Sequence, residues 1–277
     1  MRTLVLALSL LSVPAYAGDC TVKGQALGDW VEEMWVAISN VKPTKAQVAA
    51  AKKNGATAVW NYPDGWGWNR TDFFSIEVTL PEGLDPRDVL DRIRDKPTTL
   101  GSRFKEWVSW RPAGRKGRKK GEIVDLNIWG PDNGAITYLD VDTSDGEFMV
   151  MTVENGPSGT HPVSGARQWG YIELDGGNVL FFTVGIESAN TWGSGGVGSV
   201  LQAGTWGDLM RDIGKFVERK GGQQHRVFKD SDWQPSDLKP GSNTKADVDH
   251  PGEMLEQTIR FLDAIEEISN RPPVPFD

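Results

Sequence analysis

The sequence predicts an α+β fold: a curved antiparallel sheet gripping a long C-terminal helix, with extra N- and C-terminal helices. Three observations predict this class. Alternating apolar and polar residues recur in short segments through the middle of the chain. Turn residues such as Asp132-Asn133-Gly134 separate these segments, and turns this short join antiparallel strands. Apolar residues at helical spacing flank the segments, most extensively from Val200 to Lys220.

The chain before the sheet is predicted to be mainly helical. Apolar residues at helical spacing predict an amphipathic helix over 26–40. Thr44 caps a second short helix that ends near Asn54. Residues 61–70 are predicted to form a loop. Together with the residue before it, this loop carries three tryptophans that form a candidate stacking patch: Trp60, Trp66 and Trp68.

The sheet is predicted to begin at Phe73–Leu80, which alternates with Phe74, Ile76 and Val78 on one face. Pro86 then lies in the first turn of a helix, and a second helix follows over 99–107. The remaining strands are predicted at 121–129, 135–141, 147–153, 165–174 and 179–186. The segment 147–153 is apolar on both faces, which predicts a central position in the sheet.

Composition excludes several classes of protein. The chain has 277 residues, 30 Lys or Arg and 38 Asp or Glu, and a formal net charge of -8. This acidic balance excludes a general nucleic-acid binder, which needs positive charge to meet phosphates. The single cysteine, Cys20, excludes an intramolecular disulfide framework and a cysteine-based zinc site.

Residues 1–17 have the pattern of a secretory signal peptide. Arg2 provides a short positive region, residues 4–13 are mainly apolar, and Ala15-Tyr16-Ala17 is a small-x-small cleavage site. The mature protein is therefore expected to be periplasmic or secreted. No other stretch is long and apolar enough for a transmembrane helix, so none is expected.

The organisation predicted for the mature chain has four parts. Residues 18–70 form an N-terminal helical extension and residues 71–222 the α+β domain. Residues 223–251 are rich in polar residues and in Pro and Asp, which predicts a loose linker. Residues 252–277 are predicted to hold a last amphipathic helix and a mobile Pro-rich tail.

The order of strand, helix pair, antiparallel meander and long helix resembles the helix-grip fold of the START-like (SRPBCC) superfamily. The matching segments are "FFSIEVTLPEGLDPRDVLDRI", "GARQWGYIELDGGNVLFFTVGIES" and "GTWGDLMRDIGKFVERKGG". The resemblance is one of topology, covers about 150 of the 277 residues and implies a hydrophobic ligand cavity between the sheet and the long helix. It implies no catalytic residues, because the superfamily shares none. The extra terminal helices depart from the minimal fold.

No motif predicts a cofactor or a metal ion. Gly193–Gly198 matches the spacing of a dinucleotide-binding loop, but no parallel βαβ unit surrounds it. Asp140, Asp142 and Asp145 resemble a calcium loop, yet the acidic spacing is wrong and Met151 replaces the final glutamate. The three histidines have no metal-binding spacing.

Two sets of residues are candidates for ligand binding. A polar set consists of His161, Arg167, Trp169 and Tyr171, and the last three share one strand face. Facing inward, they would suit an anionic or hydroxylated amphiphile, but the apolar side chains of Ile172 and Leu174 favour an outward orientation, with Arg167 stacked on Trp169. The apolar candidates, for which the sequence does not separate pocket from core, are Val78, Leu126, Met149, Met151, Phe182, Leu209 and Ile213.

Residues 111–120 contain six basic residues in an otherwise acidic chain. A charge run of this kind is usually a solvated loop. The contrast with the acidic remainder also makes it a candidate contact for anionic lipid or another envelope polymer. The residues proposed for that surface are Arg115, Lys116, Arg118, Lys119 and Lys120.

The leading hypothesis is a non-enzymatic periplasmic binding protein for a hydrophobic or amphipathic, lipid-like small molecule. The second is an enzyme on the same fold, resembling a polyketide cyclase or hydrolase, in which His161 or a pocket carboxylate such as Asp125 or Glu173 acts as general base. It requires the His161 ring inside the cavity. The third is an envelope interaction protein that uses the basic and tryptophan-rich loops, and charge reversal of the basic loop would test it.

Overall fold

The computed structural model describes residues 21–64, 69–128, 133–159, 161–189 and 197–234. Several predictions fall outside these residues: the signal peptide, Trp66 and Trp68 of the tryptophan-rich loop, most of the glycine-rich segment before the long helix, and everything after residue 234. The remainder tests the predicted sheet and the helices on either side of it.

Eleven strands are found in the described residues. A small hairpin of β1 (Thr21–Val22) and β2 (Gln25–Ala26) begins the described chain. The strands of the main sheet are β3 (Ala56–Trp60), β4 (Asn69–Thr79), β5 (Val108–Trp110), β6 (Ile123–Ile128), β7 (Gly134–Asp140), β8 (Glu147–Asn155), β9 (Val163–Glu173), β10 (Val179–Ala189) and β11 (Gln223–Gln234). Trp60, the residue before the predicted loop, is the last residue of β3.

Five α-helices accompany these strands in the described chain. They are α1 (Leu27–Ser39), α2 (Lys45–Lys53), α3 (Pro86–Asp95), α4 (Phe104–Trp107) and α5 (Val197–Arg219). Thr44 caps α2 through a capping box with Gln47, as the sequence predicted. Asp85 caps α3 by accepting a hydrogen bond from the backbone N–H of Arg87, and Pro86 occupies its first turn.

The main sheet is antiparallel, and its strand order is β11-β4-β10-β9-β8-β7-β6-β5, with β3 joined to β8. The strands β6 to β10 follow one another as a meander, and β10 returns to pair with β4. The predicted class, an antiparallel sheet holding a long helix, is confirmed. The central position predicted for residues 147–153 is confirmed as well, because β8 pairs with both β7 and β9.

One face of the sheet, here called the grip face, packs against α3, α4 and α5. Phe74, Ile76 and Val78 of β4 lie on this face, so the predicted alternation is confirmed. Leu209, Met210 and Ile213 of α5 pack against it. This cluster is the main hydrophobic core.

The opposite face, here called the outer face, is covered by α1. Val31 and Ile38 of α1 pack against Phe73, Phe182 and neighbouring side chains. Trp30 meets the Phe73 and Phe182 rings edge-on, with ring centroids 5.9 and 5.1 Å apart. Both faces of the sheet are therefore buried, which explains why its central strands carry apolar residues at successive positions.

The polar stretch after α5 differs from the sequence prediction. Composition predicted a loose linker from residue 223, but Gln223–Gln234 forms β11 and pairs along β4. The pairing edge of β4 would otherwise expose unpaired backbone groups, and β11 satisfies them whatever its side chains are. A hydrogen bond from Arg226 to Glu77 (3.1 Å) and a contact between His225 and Thr79 (2.7 Å) reinforce the pairing.

Two aspartates fix α5 against α4. Asp212 is buried and accepts a hydrogen bond from the backbone N–H of Phe104 at 2.9 Å. Burial raises the pKa of Asp212, and this bond partly offsets the effect. Asp208, one turn earlier, accepts a hydrogen bond from the indole N–H of Trp107 at 2.8 Å. These contacts hold the long helix across the grip face.

Candidate ligand-binding site

A buried ion pair lies on the grip face. The guanidinium of Arg167 on β9 meets the carboxylate of Asp72 on β4 in a two-pronged arrangement, with Nη1–Oδ1 and Nη2–Oδ2 distances of 2.8 and 2.9 Å. The side chains are only 8% and 1% exposed. A planar guanidinium and a planar carboxylate joined by two bonds fix each other's orientation.

A glycine in the strand between them allows these residues to meet. Asp72, Gly185 and Arg167 stand side by side on β4, β10 and β9. Neighbouring strands are about 4.8 Å apart, so the Arg167 side chain must cross β10 to reach Asp72. A Cβ atom on Gly185 would lie 2.3 Å from Arg167 Nη2. The missing side chain therefore provides the path for the guanidinium.

Aromatic rings surround the pair. The Trp206 ring of α5 lies over the guanidinium, with the Arg167 Cζ atom 4.5 Å from the ring centroid. Trp169, two residues along β9, stacks on Phe148 with centroids 5.1 Å apart and an interplanar angle of 9°. It also meets Trp206 edge-on at 5.6 Å. Such a low-dielectric surrounding strengthens every polar interaction within it.

Two indole donors next to the ion pair are unsatisfied. The indole nitrogens of Trp169 and Trp206 are shielded from solvent, and neither has a hydrogen-bond partner among the described residues, which is also true of Trp35, Trp60 and Trp110. Buried polar groups in folded proteins nearly always have partners, and each exception needs an explanation. The cluster therefore offers two N–H donors to an acceptor that the protein itself does not supply.

The structure separates the apolar candidates into two groups. Val78, Leu126, Leu209 and Ile213 lie in the core of the grip face, where a cavity under α5 would be lined. Met149, Met151 and Phe182 belong instead to the core of the outer face, away from α5. Successive side chains of β8 and β10 point to opposite faces of the sheet. The outer face is also apolar because α1 covers it, and the sequence does not reveal this packing.

The predicted orientation of the polar set is wrong. Trp169 belongs to the core of the grip face, Tyr171 packs against it, and Arg167 faces Trp206 rather than stacking on Trp169. Ile172 and Leu174 are indeed on the opposite face, but that face is buried by the N-terminal elements. An apolar face at Ile172 and Leu174 therefore does not imply that the face of Arg167 and Trp169 is exposed to solvent, because both faces of β9 are buried.

His161 is buried at the end of the sheet where β9 begins. A Cβ on Gly134 would lie 2.4 Å from His161 Cδ2, so the ring packs directly on the start of β7. Its Nδ1 lies 3.2 Å from the backbone N–H of Val163 and 3.0 Å from the carbonyl oxygen of that residue. Burial lowers the pKa of His161 to about 4. Such an imidazole is a weak base and is held by the backbone.

The carboxylates proposed as alternative bases lie outside the grip interior. Asp125 and Glu173 are exposed. In each case the neighbouring residues on the strand point into a hydrophobic core, so the carboxylate points to the opposite side. The Asn155 side chain donates to Asp125 at 2.6 Å and is the main cause that lowers the Asp125 pKa. An arrangement for general-base catalysis inside the grip is therefore not formed by these residues.

The buried imidazole predicts a specific pH dependence. His161 is expected to reduce the free energy of unfolding as pH falls from about 6.5 to about 4, because the unfolded chain binds a proton that the folded chain excludes. The full loss amounts to about 3 kcal/mol. Urea unfolding of wild type and His161→Asn at several pH values measures it, since the Asn carbonyl replaces Nδ1 as an acceptor.

His225→Asn serves as the matched control for this experiment, because His225 is exposed. The stability difference between wild type and His161→Asn is expected to change across the pH window, and to change more than the difference between wild type and His225→Asn. A difference that stays constant from pH 7 to pH 4 would contradict the burial of a neutral His161.

The basic segment is only partly available as a surface. Arg115, Lys116 and Lys119 are exposed, and Lys120 pairs with Asp140 at 3.1 Å. The inclusion of Arg118 in a contact surface is wrong. Its side chain is 0% exposed, binds Glu122 at 2.7 Å and donates to the carbonyl of Arg111. Arg118 therefore secures the loop to the sheet.

Within the described ranges, no three His, Cys, Asp or Glu side chains are placed to hold a metal ion. In that same part of the chain, no helix has the length and apolar character needed to cross a membrane.

No protein-family model matches the chain, and no curated protein sequence matches it. Several solved structures align with about half of the chain at low similarity. A conserved protein from Geobacillus kaustophilus is 13% identical over 56% of this chain and 99% of its own, with a TM-score of 0.35. Norcoclaurine synthase from Thalictrum flavum is 11% identical over 54% of this chain and 87% of its own, with a TM-score of 0.36. A hypothetical protein from Helicobacter pylori is 17% identical over 55% of this chain and 89% of its own, with a TM-score of 0.35.

The strand order supports the helix-grip description independently of these similarities. Strand β4, helices α3 and α4, strands β5 to β10 and helix α5 follow one another as the sequence resemblance implied. The elements that depart from this plan are β11 on one edge, β3 beside β8, and α1 and α2 on the outer face.

Sequence reasoning missed three residues of the site. Asp72 lies two and four residues before Phe74 and Ile76, so strand alternation indicates that its side chain also faces the grip. The strand was predicted to begin one residue later, and Asp72 was therefore missed. Gly185 is in phase with the grip-face residue Phe181, and only the strand register shows that it lies between Asp72 and Arg167. Trp206 carried no signal beyond its place in the long helix.

Proposed function

We propose that the protein is an exported binding protein that holds a small, neutral, amphipathic molecule within the helix grip. The observation that carries this proposal is the buried Asp72–Arg167 pair beside the two unsatisfied indole donors of Trp169 and Trp206. The signal-peptide pattern of residues 1–17 motivates export of the chain.

A buried ion pair is difficult to explain by stability alone. Removing two charges from water costs several kcal/mol per ion, and apolar replacements of similar volume are often as stable or more stable. Here the pair sits among aromatic rings that would pack with an apolar residue equally well. Its place beside unsatisfied donors supports a role in fixing a ligand's polar group.

The charges of the site favour a neutral ligand. Asp72 already balances Arg167, so a carboxylate added beside the pair would leave a buried net charge. The indole N–H groups of Trp169 and Trp206 require acceptor oxygens, such as a carbonyl or a hydroxyl. Of the two ligand classes expected from the sequence, anionic or hydroxylated, the site favours the hydroxylated or carbonyl-bearing one.

The aromatic cluster limits the size of the ligand. Phe148, Trp110 and Trp169 occupy the space between the sheet and α4–α5 and are nearly inaccessible to solvent. The pair lies closer to the end of the sheet where β4 and β9 begin. The proposed ligand is therefore small, with one ring or a short chain, and is hydrogen-bonded at its polar end to the indole donors.

Native mass spectrometry of the purified mature protein is the first experiment, because a retained small molecule would identify the class directly. Titration with matched neutral and anionic probes, 4-hydroxyacetophenone and 4-hydroxybenzoate, tests the charge argument. We expect the neutral probe to bind about tenfold more tightly. Trp169→Phe and Trp206→Phe should each weaken binding by about fivefold, because each variant removes one donor and keeps a ring.

Trp30→Phe is the matched control, since Trp30 packs on the outer face against Phe73 and Phe182. It is expected to leave the affinity unchanged. A protein that carries no small molecule and binds neither probe, or that binds them equally in all three variants, would rule out this site as the place of binding.

A further inference from the structure

A second, open cleft lies at the β5 edge of the sheet, away from the buried pair. Its volume is about 640 Å³. The edge strand β5, the neighbouring β6 and the chain next to α4 form its walls. Small-molecule sites have volumes of about 300–1,000 Å³, so the cleft is large enough for a disaccharide.

One wall of the cleft carries planar polar side chains. Asp125 and Asn127 of β6 and Asn133 before β7 line it, and all three are exposed. Oδ1 of Asp125 accepts hydrogen bonds from Asn155 Nδ2 at 2.6 Å and from Ser158 Oγ at 2.8 Å. These two donors fix the orientation of the carboxylate before any ligand arrives.

The cleft also carries positive charge. Lys105 of α4 and Arg111 line the cleft and are exposed. Arg111 lies beside Asp125, because the preceding residue Trp110 pairs with Leu126. Arg111 Nη2 lies 3.4 Å from the carbonyl oxygen of Ile123, at the long limit of a hydrogen bond. The cleft is lined by two cationic side chains and one carboxylate, so its net charge is positive, although the net charge of the chain is -8.

Three apolar residues also bound the cleft. Val108, Trp110 and Leu126 line it, but their side chains belong to the core of the grip face and are only 4–6% exposed. Trp110 packs edge-on against Trp169 with ring centroids 6.1 Å apart, so this boundary is rigid. The surface that the cleft offers to a ligand is therefore mainly polar, and its planar hydrogen-bonding groups match the hydroxyl rim of a sugar.

We propose that this cleft binds an acidic saccharide. Asp125 accepts from a pair of ring hydroxyls, Asn127 and Asn133 donate to and accept from further hydroxyls, and Arg111 with Lys105 holds the sugar carboxylate. A bare anion would use only the cations and would be repelled by Asp125. A neutral sugar would leave the cations without a function. The combination of both features favours a ligand with hydroxyls and negative charge together.

The test uses isothermal titration of the mature protein with three probes: digalacturonate, its neutral counterpart α-1,4-galactobiose, and citrate as an anion without a sugar ring. We expect digalacturonate to bind about tenfold more tightly than galactobiose, and citrate more weakly than digalacturonate. Arg111→Gln should remove the preference for the acidic sugar. Asn127→Ala should weaken both sugars about fivefold.

Lys120→Gln is the control for charge, because Lys120 is exposed, carries the same charge and pairs with Asp140 outside the cleft. Its affinities should equal those of wild type. Absence of sugar binding up to about 20 mM would overturn the proposal. Citrate binding as tight as digalacturonate, unaffected by Asn127→Ala, would also overturn it and reveal a simple anion site. Neither result bears on the grip interior.

Discussion

Arg167→Met is expected to lower the free energy of unfolding by about 3–5 kcal/mol. The variant removes the guanidinium but leaves the carboxylate of Asp72, which is 1% exposed and has lost both bonds from Arg167. The loss of a two-pronged partner from a buried charge is among the most destabilising changes in a protein interior. Urea unfolding at pH 7, followed by circular dichroism, measures the loss.

The double variant Asp72→Leu with Arg167→Met separates the two explanations of the pair. It is expected to recover to within about 1 kcal/mol of wild type, because the aromatic surroundings accept apolar side chains of similar volume. It should also lose binding of the neutral probe. A double variant as unstable as Arg167→Met, yet unchanged in binding, would show that the pair serves stability alone.

Arg118→Met is the matched control, since Arg118 is a second guanidinium with no exposed side-chain surface. Its partner Glu122 is 27% exposed, so water reaches the carboxylate that remains. We expect a loss of about 1–2 kcal/mol, clearly less than for Arg167→Met. Equal losses in the two variants would contradict the argument that burial of the partner carboxylate sets the cost.

Trp169→Ala is expected to destabilise the protein by about 3–5 kcal/mol. Its ring is 2% exposed and contacts three other aromatic rings, those of Phe148, Trp110 and Trp206. The surrounding rings are held by the sheet and by α5, so they cannot collapse into the space, and a cavity remains. Thermal and urea unfolding measure the loss.

Tyr171→Ala is the matched control, because Tyr171 follows Trp169 on the same strand face but is only partly buried. Its expected loss is about 1–2 kcal/mol. Addition of indole should stabilise Trp169→Ala and leave wild type unchanged if a rigid cavity has formed. Failure of indole to raise the unfolding midpoint, together with a small loss, would mean that the cluster repacks and is not a rigid wall of the site.

The elements of the sheet were predictable where a local signal existed. Strict alternation identified β4 and its inward residues Phe74 and Ile76, and two-sided apolarity placed β8 in the centre. Capping residues located the starts of α2 and α3. Each of these signals is contained within a few neighbouring residues, so the sequence alone carries it.

Strand β11 is an element that no local signal in the sequence predicts. Its sequence is polar and lacks a clear alternating pattern, yet Gln223–Gln234 pairs along nearly the whole of β4. Main-chain hydrogen bonds to an open sheet edge stabilise the strand, and they do not depend on side-chain identity. The orientation of Arg167 was misjudged for a related reason, because the sequence does not reveal that α1 buries the second face.

The sequence by itself determined the class of the fold, the order of its main elements from β4 to α5 and several residues of the main core, because alternation, helical periodicity and turn chemistry are local properties. Only the tertiary structure decided the site. Asp72, Gly185 and Arg167 are more than a hundred residues apart at the extremes and become neighbours through the register of three strands. Their chemistry depends on burial under α5, which is a property of packing between distant segments and not of any local pattern.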